Sequence, residues 1–351
     1  MSGQAVLRDN DGDRLVSEIP GSDTAGPASG LSVVVVTYNE ADRIEACLDA
    51  VFESCRSFDG VEVVLVDSRS TDGTIDLAAD YPIRIYRLPA SVERTPGGGR
   101  FVGTQATSGD RVLHVDGDMV VSPAWLTAAV ERLATDSRVA GVDGHLNESD
   151  ASSESPVEAL RGVVLYDRAA LSAVGGFDPY LHALEDIELG FRLTDAGYRL
   201  VRLPSVAATH PFGDGVAELR RRWESGYYFG RGQLLRKWVR SPRILARTAR
   251  YSRLYAAMGA WLLTGTLGTL AVGPVGGLAW LCVTFVLVGL CLRVRGRTWV
   301  KRKVISVVPV YVGALVGFLG RHPPASAYPV EDAELIQTRP RRSRPDPGGV
   351  R

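Results

Sequence analysis

Val112-Leu113-His114-Val115-Asp116-Gly117-Asp118 reads as a buried strand that ends in two carboxylates. The residue between them has no side chain, so both acids can aim oxygen ligands at one hard divalent cation. Such a cation keeps water positions free and grips substrate phosphates. The carboxyl end of a sheet strand is also where open α/β folds bind ligands. Asp and Gly are equally ordinary residues for a turn that closes a strand. The segments around the triplet have to decide between these two readings.

Upstream, Leu31 to Val36, apolar but for Ser32, is a run suited to a strand buried on both faces. Thr37-Tyr38-Asn39-Glu40 leads from it into a helix with apolar positions at Ile44, Leu48 and Val51. A second buried strand, Val61 to Val66, ends at Asp67 and precedes Ser70-Thr71-Asp72-Gly73-Thr74. The next helix, around Ile75 to Ala79, leads to a third strand near Ile83-Arg84-Ile85-Tyr86. Strands alternating with helices imply an α/β fold with a doubly wound, mostly parallel sheet and right-handed crossovers. The first two strands and the Asp-Gly-Asp strand deliver polar residues at their carboxyl ends, so they converge on one crevice.

Pro96-Gly97-Gly98-Gly99-Arg100 reads as a flexible loop. It could also bring backbone close to a diphosphate, with Arg100 as a charged clamp. It lacks the Lys-Ser/Thr ending of an NTPase phosphate loop. Further on, Gly175 and Gly176 permit a tight turn near a sugar, and Glu185-Asp186 opens a helix running through Leu189, Phe191 and Leu193. Acids at a helix start are favoured by the dipole without any catalytic duty. His210, in Ala208-Thr209-His210-Pro211, is by itself an ordinary surface or packed histidine.

The net charge of zero conceals an asymmetry. Residues 1–214 hold 34 Asp+Glu against 17 Lys+Arg, whereas residues 215–351 hold 6 against 23. The basic residues flank apolar runs, which points to an anionic membrane surface and not to nucleic acid. Cys47, Cys55, Cys282 and Cys291 form no metal-type pair, so neither a zinc site nor a disulfide framework is expected. No apolar run near the amino terminus resembles a signal peptide, which keeps the soluble part in the cytoplasm.

Between Leu254 and Leu292 no charged residue occurs, and Gly273-Pro274-Val275-Gly276-Gly277 interrupts the run. A bilayer is spanned by about 20 apolar residues, so 254–272 and 275–292 read as a transmembrane hairpin. Basic residues at both ends mark those ends as cytoplasmic. A third apolar run, 304–320, contains Pro309 and reads as a further span, although a third crossing would export the Arg-rich stretch 339–344. Residues 216–253, basic and aromatic, read as an interfacial linker. Residues 1–30 read as a disordered leader and 321–351 as an Arg/Pro-rich tail.

VVVVTYNE, VDSRSTDGT, SGDRVLHVDGDM, GGFDP and EDIELGFRLTDAGYRL, in that order across residues 31–215, resemble the family 2 glycosyltransferases of the GT-A fold. The resemblance implies a nucleotide-sugar donor, a divalent cation (Mg or Mn) and an inverting transfer. Carried over by position, Thr37, Asn39 and Glu40 would line the nucleoside pocket, with Asp67 on the base and Asp72 nearby. Asp116 would face the ribose and the metal, Asp118 would ligate the cation, and His210 would complete the metal site. Asp186 matches the catalytic base, Glu185 stands beside it, and Gly175 and Gly176 fall on the acceptor side. Where the family commonly has Arg-Asn-x-Gly, this chain has Arg100-Phe101-Val102-Gly103, which removes one amide contact to the donor.

Processive members carry Gln-x-x-Arg-Trp after the base. Here Leu219-Arg220-Arg221-Arg222-Trp223 keeps Arg-Trp without the Gln, which favours a single-sugar transfer. The expected protein is a multi-pass enzyme of the cell membrane with a cytoplasmic catalytic domain, acting on a polyprenyl- or dolichyl-phosphate-linked acceptor in glycan assembly. Two other readings stay open: a nucleotidyltransferase on a similar sheet, and a membrane scaffold with an inactive domain of this kind.

Overall fold

Leu31–Thr37 forms the central strand β1, buried along its whole length. The computed structural model describes residues 7–8, 14–15, 30–211 and 215–338. The expected leader and the stretch 339–351 lie outside the described residues, apart from a short ladder between Leu7–Arg8 and Arg14–Leu15. Two compact units emerge. One holds the residues before Gly213 together with those from His322 onward; the other runs from Gly213 to Arg321.

In the first unit, β1 is flanked by two parallel strands, β2 (Glu62–Asp67) and β4 (Arg111–Asp116). β3 (Arg84–Arg87) extends the parallel set beyond β2. Side chains alternate across a strand, and β1 shows the consequence. Val33 and Val35 join one apolar layer with α1 (Ile44–Cys55) and α4 (Pro123–Thr135). Val34 and Val36 join the opposite layer with α3 (Pro96–Gln105) and α6 (Glu185–Asp195). A strand with helices on both faces is apolar on both, which is why Val33 to Val36 carries no alternation; Ser32, the polar exception, is buried with its hydroxyl donating to Glu62.

The sheet is mixed, which corrects the expectation of a mostly parallel one. β5 (Val120–Val121), β6 (Val139–Leu146), β7 (Ser155–Val157), β8 (Val164–Asp167) and β9 (Arg199–Thr209) complete one side. β8 lies antiparallel between β4 and β6, and only β6 and β9 pair in parallel there. The cause is the link from β6 to β8: it contains no crossover helix, so the chain has to return in the opposite direction. The other edge is closed by β10 (Glu334–Gln337), which pairs antiparallel with β3. Its approach buries Tyr328 edge-on against Phe101.

The glycine run 97–99 is the first turn of α3 and not a loop, a second correction. Thr95 caps the helix by accepting from the Gly98 amide at 2.9 Å, and Pro96 takes the first helical position, where its missing N–H costs nothing. The glycines are there for close approach. A Cβ on Gly97 would overlap the Asp178 carbonyl oxygen, and one on Gly99 would press on Val36. Ala gains at most about 1 kcal/mol of helix propensity over Gly, whereas overpacking costs about 1–3 kcal/mol. Because the obstacle at Gly97 is backbone, Gly97→Ala should lower the thermal unfolding midpoint of the purified protein. An unchanged or higher midpoint would reject this packing of α3 on the 177–179 turn.

The second unit is helical throughout its described length. α7 (Gly215–Glu224), α8 (Gly230–Lys237) and α9 (Pro242–Tyr251) precede three long apolar helices, α10 (Arg253–Val272), α11 (Pro274–Arg295) and α12 (Arg297–Leu319). All three are long and apolar enough to cross a membrane, and the chain is a multi-pass membrane protein. Gly273, at φ +73°, turns the chain between α10 and α11, with Pro274 opening the second helix. Trp261 and Trp280 stack across the pair, and each indole N–H donates to the facing helix.

Candidate active site

Four strand ends, one helix start and Arg100 of α3 supply the polar groups. At the end of β1, Asn39 adopts φ +54° and ties its loop to the one after β2. Its amide donates to Ser70 Oγ at 2.9 Å, and its side-chain oxygen accepts from the Thr71 amide at 2.8 Å. The Glu40 amide donates to Thr74 Oγ1, and the Ala41 amide to Asp72. Asp67, fully buried at the end of β2, accepts from the Ser70 amide at 3.0 Å and faces Arg87 Nε at 3.7 Å. These contacts make one rigid polar rim out of Asn39, Glu40, Asp67 and Asp72. Thr37 is buried beside the rim, and its hydroxyl would collide with any Cβ on Gly117. That contact is the reason a glycine separates Asp116 from Asp118.

Asp118 and His210 meet, with Nε2 to Oδ2 at 3.1 Å. The hydrogen bond to Asp118 raises the His210 pKa from its ordinary value. His210 is itself held by Asn147, whose amide group bonds the His210 backbone in both directions, at 2.7 and 3.0 Å. Asn147 sits at φ +65° just past β6. It belongs to no motif in the sequence, and its left-handed backbone is the one sign that would have drawn attention to it.

Arg100 joins this edge to the start of α6. Buried inside α3, it donates to Asp116 Oδ1 at 2.6 Å and to Glu185 Oε1 at 2.8 Å. It therefore spans the Asp-Gly-Asp strand and the Glu185-Asp186 helix. Desolvation pushes the Glu185 and Asp116 carboxyls up, with the Arg100 charge opposing the shift in both. Asp186 next to Glu185 is displaced further. Desolvation and then the Glu185 charge push it up to about 7, against the pull of Arg100.

Leu184, at φ +67° before α6, and the turn at Gly175 and Gly176, φ +81° and +69°, set the direction of this helix start. Arg192 donates to the Gly176 carbonyl at 2.6 Å while paired with buried Glu188, so the turn is held from within. His322, on the returning segment, contacts Asp178 at 2.8 Å. The arrangement thus has a polar rim, an Asp–His pair and a carboxylate poised near neutral pH, with Arg100 linking Asp116 to the helix start that bears that carboxylate.

A metal ion has to be judged against these residues. Among the described residues no three His, Cys, Asp or Glu side chains are gathered closely enough to hold one by themselves. Asp118 and His210 are nevertheless a touching carboxylate–imidazole pair. Hard divalent cations in phosphate-binding sites commonly take one or two protein ligands and complete their shell with phosphate and water. The donor set fits that pattern.

Residues 32–160 match the sequence model of glycosyl transferase family 2. The protein is a glycosyltransferase with a family 2 domain. The glycosyltransferase AglE of Haloferax volcanii is 27% identical over 258 residues, 68% of this chain and 81% of that protein. The N-acetylglucosaminyl-diphospho-decaprenol L-rhamnosyltransferase of Mycobacterium tuberculosis is 26% identical over 233 residues, 51% of this chain and 75% of that protein. Among solved structures, the mannosyltransferase PcManGT of Pyrobaculum calidifontis, in complex with GDP-Man and Mn2+, superimposes with a TM-score of 0.60 at 21% identity. That match covers 86% of this chain and 90% of PcManGT, and it bears on the fold.

Proposed function

We propose that this glycosyltransferase moves one sugar, with inversion, from a nucleotide-sugar donor to a polyprenyl- or dolichyl-phosphate-linked acceptor, in glycan assembly for protein N-glycosylation or surface polysaccharide. The observation that carries the reading is Arg100, which joins the Asp-Gly-Asp edge to the Glu185-Asp186 helix start. A donor diphosphate held at the first and an acceptor hydroxyl entering at the second would then react in one site.

In this reading the rim of Thr37, Asn39, Glu40 and Asp67 receives the nucleoside, and Asp116 the ribose. Asp118 and His210 would hold the divalent cation, Mg or Mn, which when bound stabilises negative charge on the leaving diphosphate. Asp186 takes the proton from the acceptor hydroxyl as its oxygen bonds to the anomeric carbon and the bond from that carbon to the diphosphate breaks. A base titrating near the working pH suits that task. One base and one in-line displacement leave the anomeric configuration inverted.

Support for the donor and cation comes from the fold shared with PcManGT, which was solved with GDP-Man and Mn2+. Support for the acceptor comes from the decaprenol-linked substrate in the name of the rhamnosyltransferase. Support for a cytoplasmic catalytic unit comes from the basic residues that flank the hairpin. The decisive assay incubates the purified protein with Mn2+ or Mg2+, a panel of GDP-, UDP- and dTDP-sugars, and extracted polyprenyl-phosphate lipids. Mass spectrometry should find one lipid class gaining the mass of a single sugar with one donor. A ladder of additions would overturn single transfer. Incorporation from a nucleoside triphosphate in place of a sugar nucleotide would favour a nucleotidyltransferase.

A further inference from the structure

The three long apolar helices raise a question of parity. The chain leaves the catalytic unit after β9 and rejoins it at His322, because β10 is a strand of the same sheet as β1. A protein segment that departs from one side of a bilayer and returns to that side crosses it an even number of times. Between these points the described residues offer three helices of spanning length, α10, α11 and α12. If all three crossed, β10 would stand on the far side from β3, its partner in the ladder.

The packing of α12 indicates which helix lies differently. Near its start, Lys303 and Ser306 approach the Tyr255 hydroxyl at 3.5 and 3.4 Å, in the first turn of α10. The Tyr311 hydroxyl donates to the Tyr255 carbonyl in that same turn. Beyond this point α12 packs on α8: Gly313 faces Tyr228, Gly317 faces Phe229, and Gly232 meets the backbone of Ala314 and Phe318. The Arg236 guanidinium donates to the last carbonyls of α12, those of Phe318 and Leu319, at 3.0 and 3.2 Å. α8 precedes the first crossing and carries Arg231, Gln233, Arg236 and Lys237, a helix unsuited to a hydrocarbon interior. Both ends of α12 therefore meet elements on the entry side of the hairpin. From Lys303 to Leu319 a helix rises about 24 Å, most of a hydrocarbon core of about 30 Å. A crossing α12 would carry its second half, and α8 with it, away from that side.

The faces of α12 agree. Ser306, Val310, Gly313 and Gly317 are buried against protein. Val304, Val308, Val312, Leu315 and Leu319 form an exposed apolar stripe at helical spacing. Arg297, Lys301, Arg302 and Lys303 cluster at the amino end. An apolar stripe beside basic residues suits one leaflet of a membrane with anionic headgroups.

We propose that α12 lies in the interface of the entry leaflet, seated on α8, and that α10 and α11 are the crossing pair. Anionic lipid covers the 304–319 stripe, and the returning segment stays on the side of the catalytic unit. The proposal needs a membrane but no particular activity, so it stands or falls apart from the sugar-transfer reading.

The test uses the full chain with Cys282 and Cys291 replaced by alanine. Cys47 and Cys55 can stay, since burial pushes their thiols up to about 12 and about 11 and leaves them unreactive. Thr298→Cys stands in the first turn of α12 and Ser326→Cys lies beyond its carboxyl end, both at exposed positions. An impermeant maleimide applied to intact cells, then to lysed cells, should treat the two reporters alike. Protection of both until lysis supports the proposal with a cytoplasmic catalytic unit. Labelling of both from outside supports it with that unit external, which would overturn the cytoplasmic assignment alone. Labelling of one and protection of the other overturns it. Spin labels at Val304, Val308, Val312 and Leu315 in vesicles containing anionic lipid give a second readout. They should report one shallow depth, and a depth that peaks between the first and the last would reject the interfacial placement.

Discussion

Asp186→Asn should lower turnover by about 10²–10⁴-fold, the usual contribution of a positioned general base, while donor binding changes little. The substitution keeps the shape and removes the basicity. Its pH behaviour is equally specific. With the Asp186 carboxyl near 7, kcat/KM of the wild type should fall as pH drops through that value, because the protonated acid cannot accept the hydroxyl proton. The Glu185 charge is one cause of the upward shift, so Glu185→Gln should move the acid limb to lower pH. Stability responds with the opposite sense. A carboxyl whose pKa is raised on folding favours the native state below its ordinary value of about 3.9. That benefit disappears as pH rises through about 7. Asp186→Asn should therefore melt higher than the wild type at pH 8, by at least about 2 °C, while being far less active. If Asp186→Asn stays within a few-fold of wild type and Glu185→Gln is inactive, the base is the other carboxylate.

Asp118→Ala should reduce transfer by at least about 10²-fold, since a cation at a developing phosphate charge supplies several kcal/mol and each 1.36 kcal/mol is tenfold in rate. It should also weaken donor binding and lower Mn2+ affinity, measured by the loss of free Mn2+ signal in electron paramagnetic resonance. Asp116→Ala should do similar but smaller damage, because Arg100 keeps its second partner in Glu185. Chelation of the wild type should reproduce the loss. Full activity in excess EDTA would reject the assignment of Asp118 and His210 as ligands.

The legible part of this molecule is the part written in local pattern. Leu31 to Val36 announced a strand covered on both faces, and β1 is buried along its length. Asp116 and Asp118 stand out at the end of an apolar strand, whereas Glu185, Asp186 and His210 could be named only through the family resemblance. What escaped depends on partners distant in sequence. The run at 97–99 has a loop-like composition, and it is helical because Thr95 caps it and because only a bare backbone fits beneath Asp178 and Val36. Arg100 was expected at a diphosphate, yet its link from Asp116 to Glu185 depends on which face of α3 looks inward. Asn147 holds His210 across 63 positions. The antiparallel β8 followed from a missing crossover helix, which strand patterns do not encode.

β10 also bears on how the protein is made. A chain emerging from the ribosome completes β1 through β9 first, then has to deliver two crossing segments to the bilayer before Glu334–Gln337 is available. Until then β3 is an open edge, with unpaired amides and carbonyls of the kind that seeds aggregation, and Phe101 lacks its Tyr328 cover. A fragment stopped ahead of α10 would hold every motif of the site and still keep that edge exposed. Soluble expression of residues 31–215 should thus give a chain prone to associate through β3, and a supplied peptide spanning 322–338 should suppress the association. The enzyme finishes its water-soluble half last, after the lipid-bound half has been inserted.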